Sequence, residues 1–177
     1  MLAKGFMSLK FQAILEDFHS KLFRYYISVS KELGDQFIEG DNRRILCSIN
    51  GNEPYHCALM HMEGGYYILV NNQIRKKIGI EEGDHIEVTI EKDYSEFGHE
   101  VPESFQALMD QDEEGERLFR EQTMGVQRSL IYIVKKVKNV DSQIAKGLAI
   151  MHHLKEARGK LDYKRLNVLI KEYNSRK

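Results

Sequence analysis

The sequence predicts an α+β chain: a small closed β structure built from two similar halves, followed by an all-helical region. Three observations carry this expectation. Residues 25–49, YYISVSKELGDQFIEGDNRRILCSI, are echoed by residues 66–90, YYILVNNQIRKKIGIEEGDHIEVTI. Each copy opens on Tyr-Tyr-Ile-x-Val, passes a Gly-Asp pair (Gly40-Asp41, Gly83-Asp84), and closes on an alternating strand, Ile45-x-Cys47-x-Ile49 or Ile86-x-Val88-x-Ile90. Pseudo-symmetric duplication leaves such a trace. The apolar period then changes after Asp93 from alternation to helical spacing. Charge segregates with it: residues 1–95 hold 11 Lys/Arg against 14 Asp/Glu, residues 96–121 hold 2 against 9, and residues 122–177 hold 13 against 4. An acidic helix docked on basic ones accounts for this, as would an electrostatic binding surface.

Phe11–Leu15 reads as a first strand, followed by Tyr25–Val29. Ser30 caps a short helix to Phe37, which ends near Gly40. Strand 44–49 meets the Asn50-Gly51 turn, and strand 55–61 leads through Gly64-Gly65 to Tyr66–Val70. Asn71 or Asn72 caps a helix through Ile78 that stops at Gly79, and His85–Ile90 alternates as a half-buried strand. Pro102 opens a helix with Phe105, Leu108 and Met109 on one stripe. An acidic stretch, 112–121, carries Leu118 and Phe119. A third helix shows Val126, Leu130, Ile133, Val134 and Val137. Asp141 caps a fourth with Ile144, Leu148, Met151 and Leu154, broken at Gly159. Asp162 caps the last, with Leu166, Leu169, Ile170 and Tyr173 inward. The expected domains are residues 8–95 and 100–175, with the boundary near Gly98.

At 177 residues, 42% hydrophobic and 30% charged, the composition is that of a soluble globular protein. No stretch reaches the roughly 18 consecutive apolar residues of a membrane span. The N-terminus lacks an apolar core of signal-peptide length, so no membrane insertion and a cytoplasmic location are expected. In a reducing compartment Cys47 and Cys57 are read as small apolar residues, not a bridge.

The segment VNNQIRKKIGIEEGDHIEVTI resembles the swapped hairpin of AbrB-like and MazE-like proteins. Over a longer span, SINGNEPYHCALMHMEGGYYILVNNQIRKKIGIEEGDHIEVTIEKD resembles the bacterial domain of unknown function that often precedes a YdeI/OmpD-associated, bacteriocin-protection-type region. The tail from Val101-Pro102-Glu103 resembles that second region through Gly125, Arg128, Tyr132, the Lys135/Lys136/Lys138 group and Ile144. Together the two cover roughly residues 8–155. The resemblance implies a double-split β-barrel with a helical C-terminal region, and a role touching envelope stress or bacteriocin tolerance. It supplies no activity. This chain departs from the tail's pattern at Thr123-Met124-Gly125, in place of a Ser/Thr-Pro, and at Gln143 and Lys146, in place of two arginines.

No catalytic constellation is visible: there is no nucleophile elbow, phosphate loop or dinucleotide fingerprint. Seven histidines invite a metal, but His56 and His61 point to opposite faces of one strand, and Cys57 lies about 13 Å along that strand from His61. Only cross-strand sets such as Cys47 with His56 or Cys57 remain, and neither metal nor cofactor is expected. Tyr25, Tyr26, Tyr66 and Tyr67 are candidate stacking residues, with one ring of each pair inward and the other outward. Arg75, Lys76 and Lys77 occupy the turn that AbrB-like relatives turn toward DNA. Arg128, Lys135 and Lys138 fall within about 80° on the third helix. These six are candidate anion or nucleic-acid contacts, although the β region is acidic overall.

The expectation is therefore a non-enzymatic binding module for a protein or small ligand. The alternatives are a nucleic-acid-binding regulatory protein using those six cations, and a small enzyme with its site between barrel and helices. Both a monomer and a homodimer are compatible, because the duplication lets one chain close a barrel alone.

Overall fold

The computed structural model describes residues 7–21 and 24–176. The chain divides into two compact units, residues 1–94 and 95–177. The N-terminal reading rested partly on residues 1–6, which lie outside the described residues.

The first unit is a nearly closed antiparallel barrel. Its strands are β1 (Ser8–Asp17), β2 (Tyr25–Ser30), β3 (Arg44–Ile49), β4 (Tyr55–Ala58), β5 (Met60–Met62), β6 (Gly65–Val70) and β7 (His85–Lys92). Hydrogen bonding orders them β4-β3-β7-β1-β2-β6-β5. The expected single strand at 55–61 is thus two, parted at Leu59, because one segment serves both edges of the sheet. Ala58 pairs with Arg44 on β3, whereas Met60 pairs with Tyr67 on β6. The edge strands are therefore neighbours in the chain, and the Tyr55 hydroxyl donates to the Leu69 carbonyl at 3.5 Å across the seam. β1 does the same for the other half, pairing β7 from Ser8 to Ile14 and β2 from Leu15 to Asp17. Bridging strand, strand, helix and strand recur in order, which is the duplication read from the sequence.

The helices at equivalent places are α1 (Lys31–Asp35) and α2 (Asn72–Ile78). Ser30 caps α1 by accepting the Leu33 N–H, and Asn71 caps α2 by accepting the Ile74 N–H at 2.8 Å. Gly79 ends α2 at φ 79°, a left-handed conformation that glycine adopts without Cβ strain. Inward positions alternate along the strands: Ile27, Ile45, Cys47, Ile49, Ile68, Ile86, Val88 and Ile90 are all buried, with Phe37 and Leu59 plugging the interior. Lys92 continues the inward series of β7. Its ammonium is satisfied by the Phe37 and Asn42 carbonyls, both at 2.7 Å, and burial pulls its pKa below the usual lysine value.

The second unit contains α3 (Glu103–Gln111), α4 (Glu113–Arg120), α5 (Met124–Lys135), α6 (Val140–Glu156) and α7 (Tyr163–Ser175). Phe105, Met109, Phe119, Leu130, Val134, Ile150, Leu154, Leu166 and Leu169 form its core. Two sequence readings are corrected here. Asn139, not Asp141, caps α6, by accepting the Ser142 N–H at 3.0 Å; Asp141 sits in the first turn. And α5 ends at Lys135, so Lys138 lies beyond the helix, in the connection to α6, and does not share its face. That connection is pinned by the Gln143 side-chain amide donating to the Val137 carbonyl at 2.8 Å. Among the described residues no helix is long and apolar enough to cross a membrane.

Candidate functional site

Of the ten residues singled out from the sequence, the structure places seven in the barrel unit in ways that decide what each can do. Tyr25 and Tyr66 are core residues, 7% and 6% exposed, closed to a stacking ligand by burial. Tyr66 is also held by its hydroxyl, which donates to Asp35 at 2.6 Å. Tyr26 and Tyr67 point outward, as strand alternation requires. Their faces are partly taken by Phe18, which stacks on Tyr26 at 3.8 Å and meets Tyr67 edge-on at 5.1 Å. Arg75 is mostly buried: its guanidinium lies 4.8 Å over the Tyr25 ring, donates to the Ile80 carbonyl at 3.1 Å and pairs with Glu81. It ties the end of α2 to the barrel and is not a free phosphate contact. Lys77 pairs with Glu53 at 3.2 Å, and Lys76 is exposed.

In the helical unit, Arg128 and Lys135 lie on α5, and Lys135 approaches Glu100 at 3.9 Å. Arg128 stands at the centre of the site. Its Nε donates to the Phe97 carbonyl at 3.0 Å, which fixes the plane of the half-buried guanidinium. Among the described residues, no hydrogen bond or ion pair engages its two terminal nitrogens. Arg128 lines a groove of about 400 Å³ together with His99, Ser129, Tyr132, Ile133 and Tyr163. The α5 residues come from one side of that helix, His99 from the loop before α3 and Tyr163 from the first turn of α7. Tyr132 and Tyr163 are 56% and 45% exposed, in contrast to the buried tyrosines of the barrel. The His99 ring lies 6.1 Å from that of Tyr132, tilted by 38°. Lys146 donates to the carbonyl of Ile133, one of the groove residues, at 3.3 Å.

Among the described residues, one trio has metal-ligand atoms within 4.8 Å of one another: Asp17, His19 and Glu82. Its chemistry does not suit a cation. The buried Asp17 carboxylate already accepts Arg24 at 2.8 Å and the His19 backbone N–H at 2.6 Å, so a guanidinium stands beside the place an ion would take. That guanidinium holds the Asp17 carboxyl below its usual pKa, against the opposing effect of burial. Because the folded pKa is the lower one, the ionised pair stabilises the fold at neutral pH, and the contribution is lost as pH falls below about 4 through the folded value. Wild-type urea midpoints are expected to drop more steeply than those of Asp17→Asn in that acid range. Superimposable profiles would show that the pair adds nothing. Cys47 and Cys57 are both free thiols, Cys47 buried and Cys57 partly so, and among the described residues no three-ligand metal set forms around them.

The order of the strands, from β1 to β7, is where a comparison with known families applies. Residues 11–90 match a domain of unknown function, DUF1905. The match runs from within β1 to within β7 and so covers the duplicated barrel; the helical unit and its groove lie outside it. No curated protein matches the chain significantly. The DUF1905 description assigns no activity, so the function must be argued from the residues.

His99, Ser129 and Tyr163 were not singled out from the sequence. Ser129 was legible in principle, since 128, 129, 132 and 133 share one side of a helix. His99 and Tyr163 were not, because they reach the groove from separate segments.

Proposed function

We propose that the protein is a non-enzymatic binding module that holds a small ligand in the groove of its helical unit. The observation that carries this reading is the tethered Arg128, lining a groove together with the exposed Tyr132 and Tyr163 rings. A few fixed polar groups beside aromatic walls are the usual makeup of a ligand site. The resemblance of the tail to YdeI/OmpD-associated regions, which include Arg128 and Tyr132, supports placing this binding in envelope stress or bacteriocin tolerance, within the cytoplasm. The AbrB-like likeness of the barrel hairpin supports a nucleic-acid reading less well, because Arg75 and Lys77 are engaged by carboxylates and Lys138 lies off the helix.

Ligand-observed NMR of a small-molecule panel against the full chain tests the proposal. Binders are expected whose signals are lost with Tyr132→Ala and Tyr163→Ala, and which are recovered unchanged after incubation. A panel without binders at millimolar concentration would overturn the reading, and conversion of a bound compound would favour an enzyme.

A further inference from the structure

We infer, resting on the groove reading above, that the ligand is a single planar ring carrying one oxyanion, a carboxylate or a phosphate. The anionic end follows from Arg128. A guanidinium offers a rigid fork that matches either oxyanion bidentately, and tethering Nε to the Phe97 carbonyl pre-orients the remaining two nitrogens. Partial burial weakens solvent screening at that point. Five of the six lining residues come from residues 122–177, a segment with 13 Lys/Arg against 4 Asp/Glu, and none of the six is a carboxylate, which favours an anion over a cation.

The ring follows from the tyrosines. Tyr132 and Tyr163 keep roughly half their surface open, and Ile133 adds an apolar side chain to the lining. An aromatic face left open beside an arginine is suited to stacking a planar ligand. The ring is not sandwiched between His99 and Tyr132. Their centroids are 6.1 Å apart, whereas a ring in contact on both faces needs about 7 Å. It lies on an open tyrosine face, with its oxyanion reaching Arg128. The volume limits the size: about 400 Å³ is near the lower end of ligand sites, which span roughly 300–1,000 Å³. One ring with one anionic group fits within it.

The test uses the full chain with four probes: benzoate, phenyl phosphate, benzamide and cyclohexanecarboxylate. Titrations are followed by tyrosine fluorescence and by protein NMR shifts. Benzoate or phenyl phosphate is expected to bind at least about 10-fold more tightly than benzamide, since a charge-assisted hydrogen bond contributes about 1.5–3 kcal/mol. The stronger of the two identifies the oxyanion. Cyclohexanecarboxylate is expected to bind more weakly than benzoate, because it lacks the planar face. The preference should shrink in Arg128→Lys, which keeps the charge and loses the fork, and nearly vanish in Arg128→Gln. Comparing probes on the wild-type chain keeps the test valid if either variant fails to fold. Benzamide binding as well as benzoate at the groove would overturn the oxyanion while leaving a ligand groove in place. Binding of none of the probes, together with an empty broader panel, would overturn the groove reading itself. Tighter, Arg128-dependent binding of a single-stranded oligonucleotide would replace the small ligand with nucleic acid.

Discussion

Replacing Leu59 with alanine is expected to destabilise the barrel unit by about 3–4 kcal/mol, toward the upper part of the range for buried Leu→Ala changes. Leu59 is fully buried between β4 and β5, at the point where the chain passes from one edge of the sheet to the other. The expected loss is large because the flanking backbone has little freedom to close the cavity. Ala58 is registered against Arg44, Met60 against Tyr67, and the Leu59 N–H itself donates to the Arg43 carbonyl at 3.0 Å. The neighbouring Met60, 37% exposed, provides the contrast: its alanine variant should stay within about 0.5 kcal/mol of wild type. Urea unfolding read by tyrosine fluorescence measures both, in a chain without tryptophan. Equal effects at the two positions would mean that Leu59 does not plug the seam.

Phe119→Ala is expected to remove about 4 kcal/mol from the helical unit. The ring is fully buried and meets two others edge-on, Phe105 at 5.7 Å and Phe97 at 6.0 Å. Each such pair adds about 0.5–1.5 kcal/mol beyond area burial. Phe119→Leu keeps most of the volume and loses the edge contacts, so it should fall between alanine and wild type. This variant also bears on the groove. Phe97 packs on Phe119 and offers its carbonyl to Arg128, so loosening Phe97 should weaken binding in the groove as well as stability. A fall of less than 1 kcal/mol for Phe119→Ala would show that α4 contributes little to this core.

The strands and helices were largely legible because their signals are local. The bounds of β3 coincide with the sequence reading, and Ser30, Asn71 and Asp162 cap the helices they were expected to cap. Side-chain oxygens accepting nearby backbone N–H groups leave a short-range trace. The misplaced features share a cause. Leu59 looks like one more strand residue until β6 claims the segment beyond it. Lys138 sits in register with α5 but falls past its end, where the turn into α6 takes over. Asp141 is a plausible cap, yet Asn139 reaches the Ser142 N–H first.

Charges were the least legible. Arg75 and Lys77 form a basic turn in the sequence, but Glu81, the Ile80 carbonyl, the Tyr25 ring and Glu53 absorb them in the fold. Lys92 follows the inward parity of β7, which marks its burial, but the two carbonyls that make that burial tolerable come from a loop some 50 residues away in sequence.

By itself the sequence determined the duplication, the change from alternating to helical period, and the caps. Each is set by side-chain chemistry within a few residues, or by similarity between segments. Only the tertiary structure decided how β4 and β5 close the barrel, which cations remain open to a partner, and which residues meet in the groove. Those depend on segments far apart in the chain arriving at one place. The position of His99 beside Tyr132 and Tyr163 is written in no local pattern, because packing alone brings a loop and two helices together there.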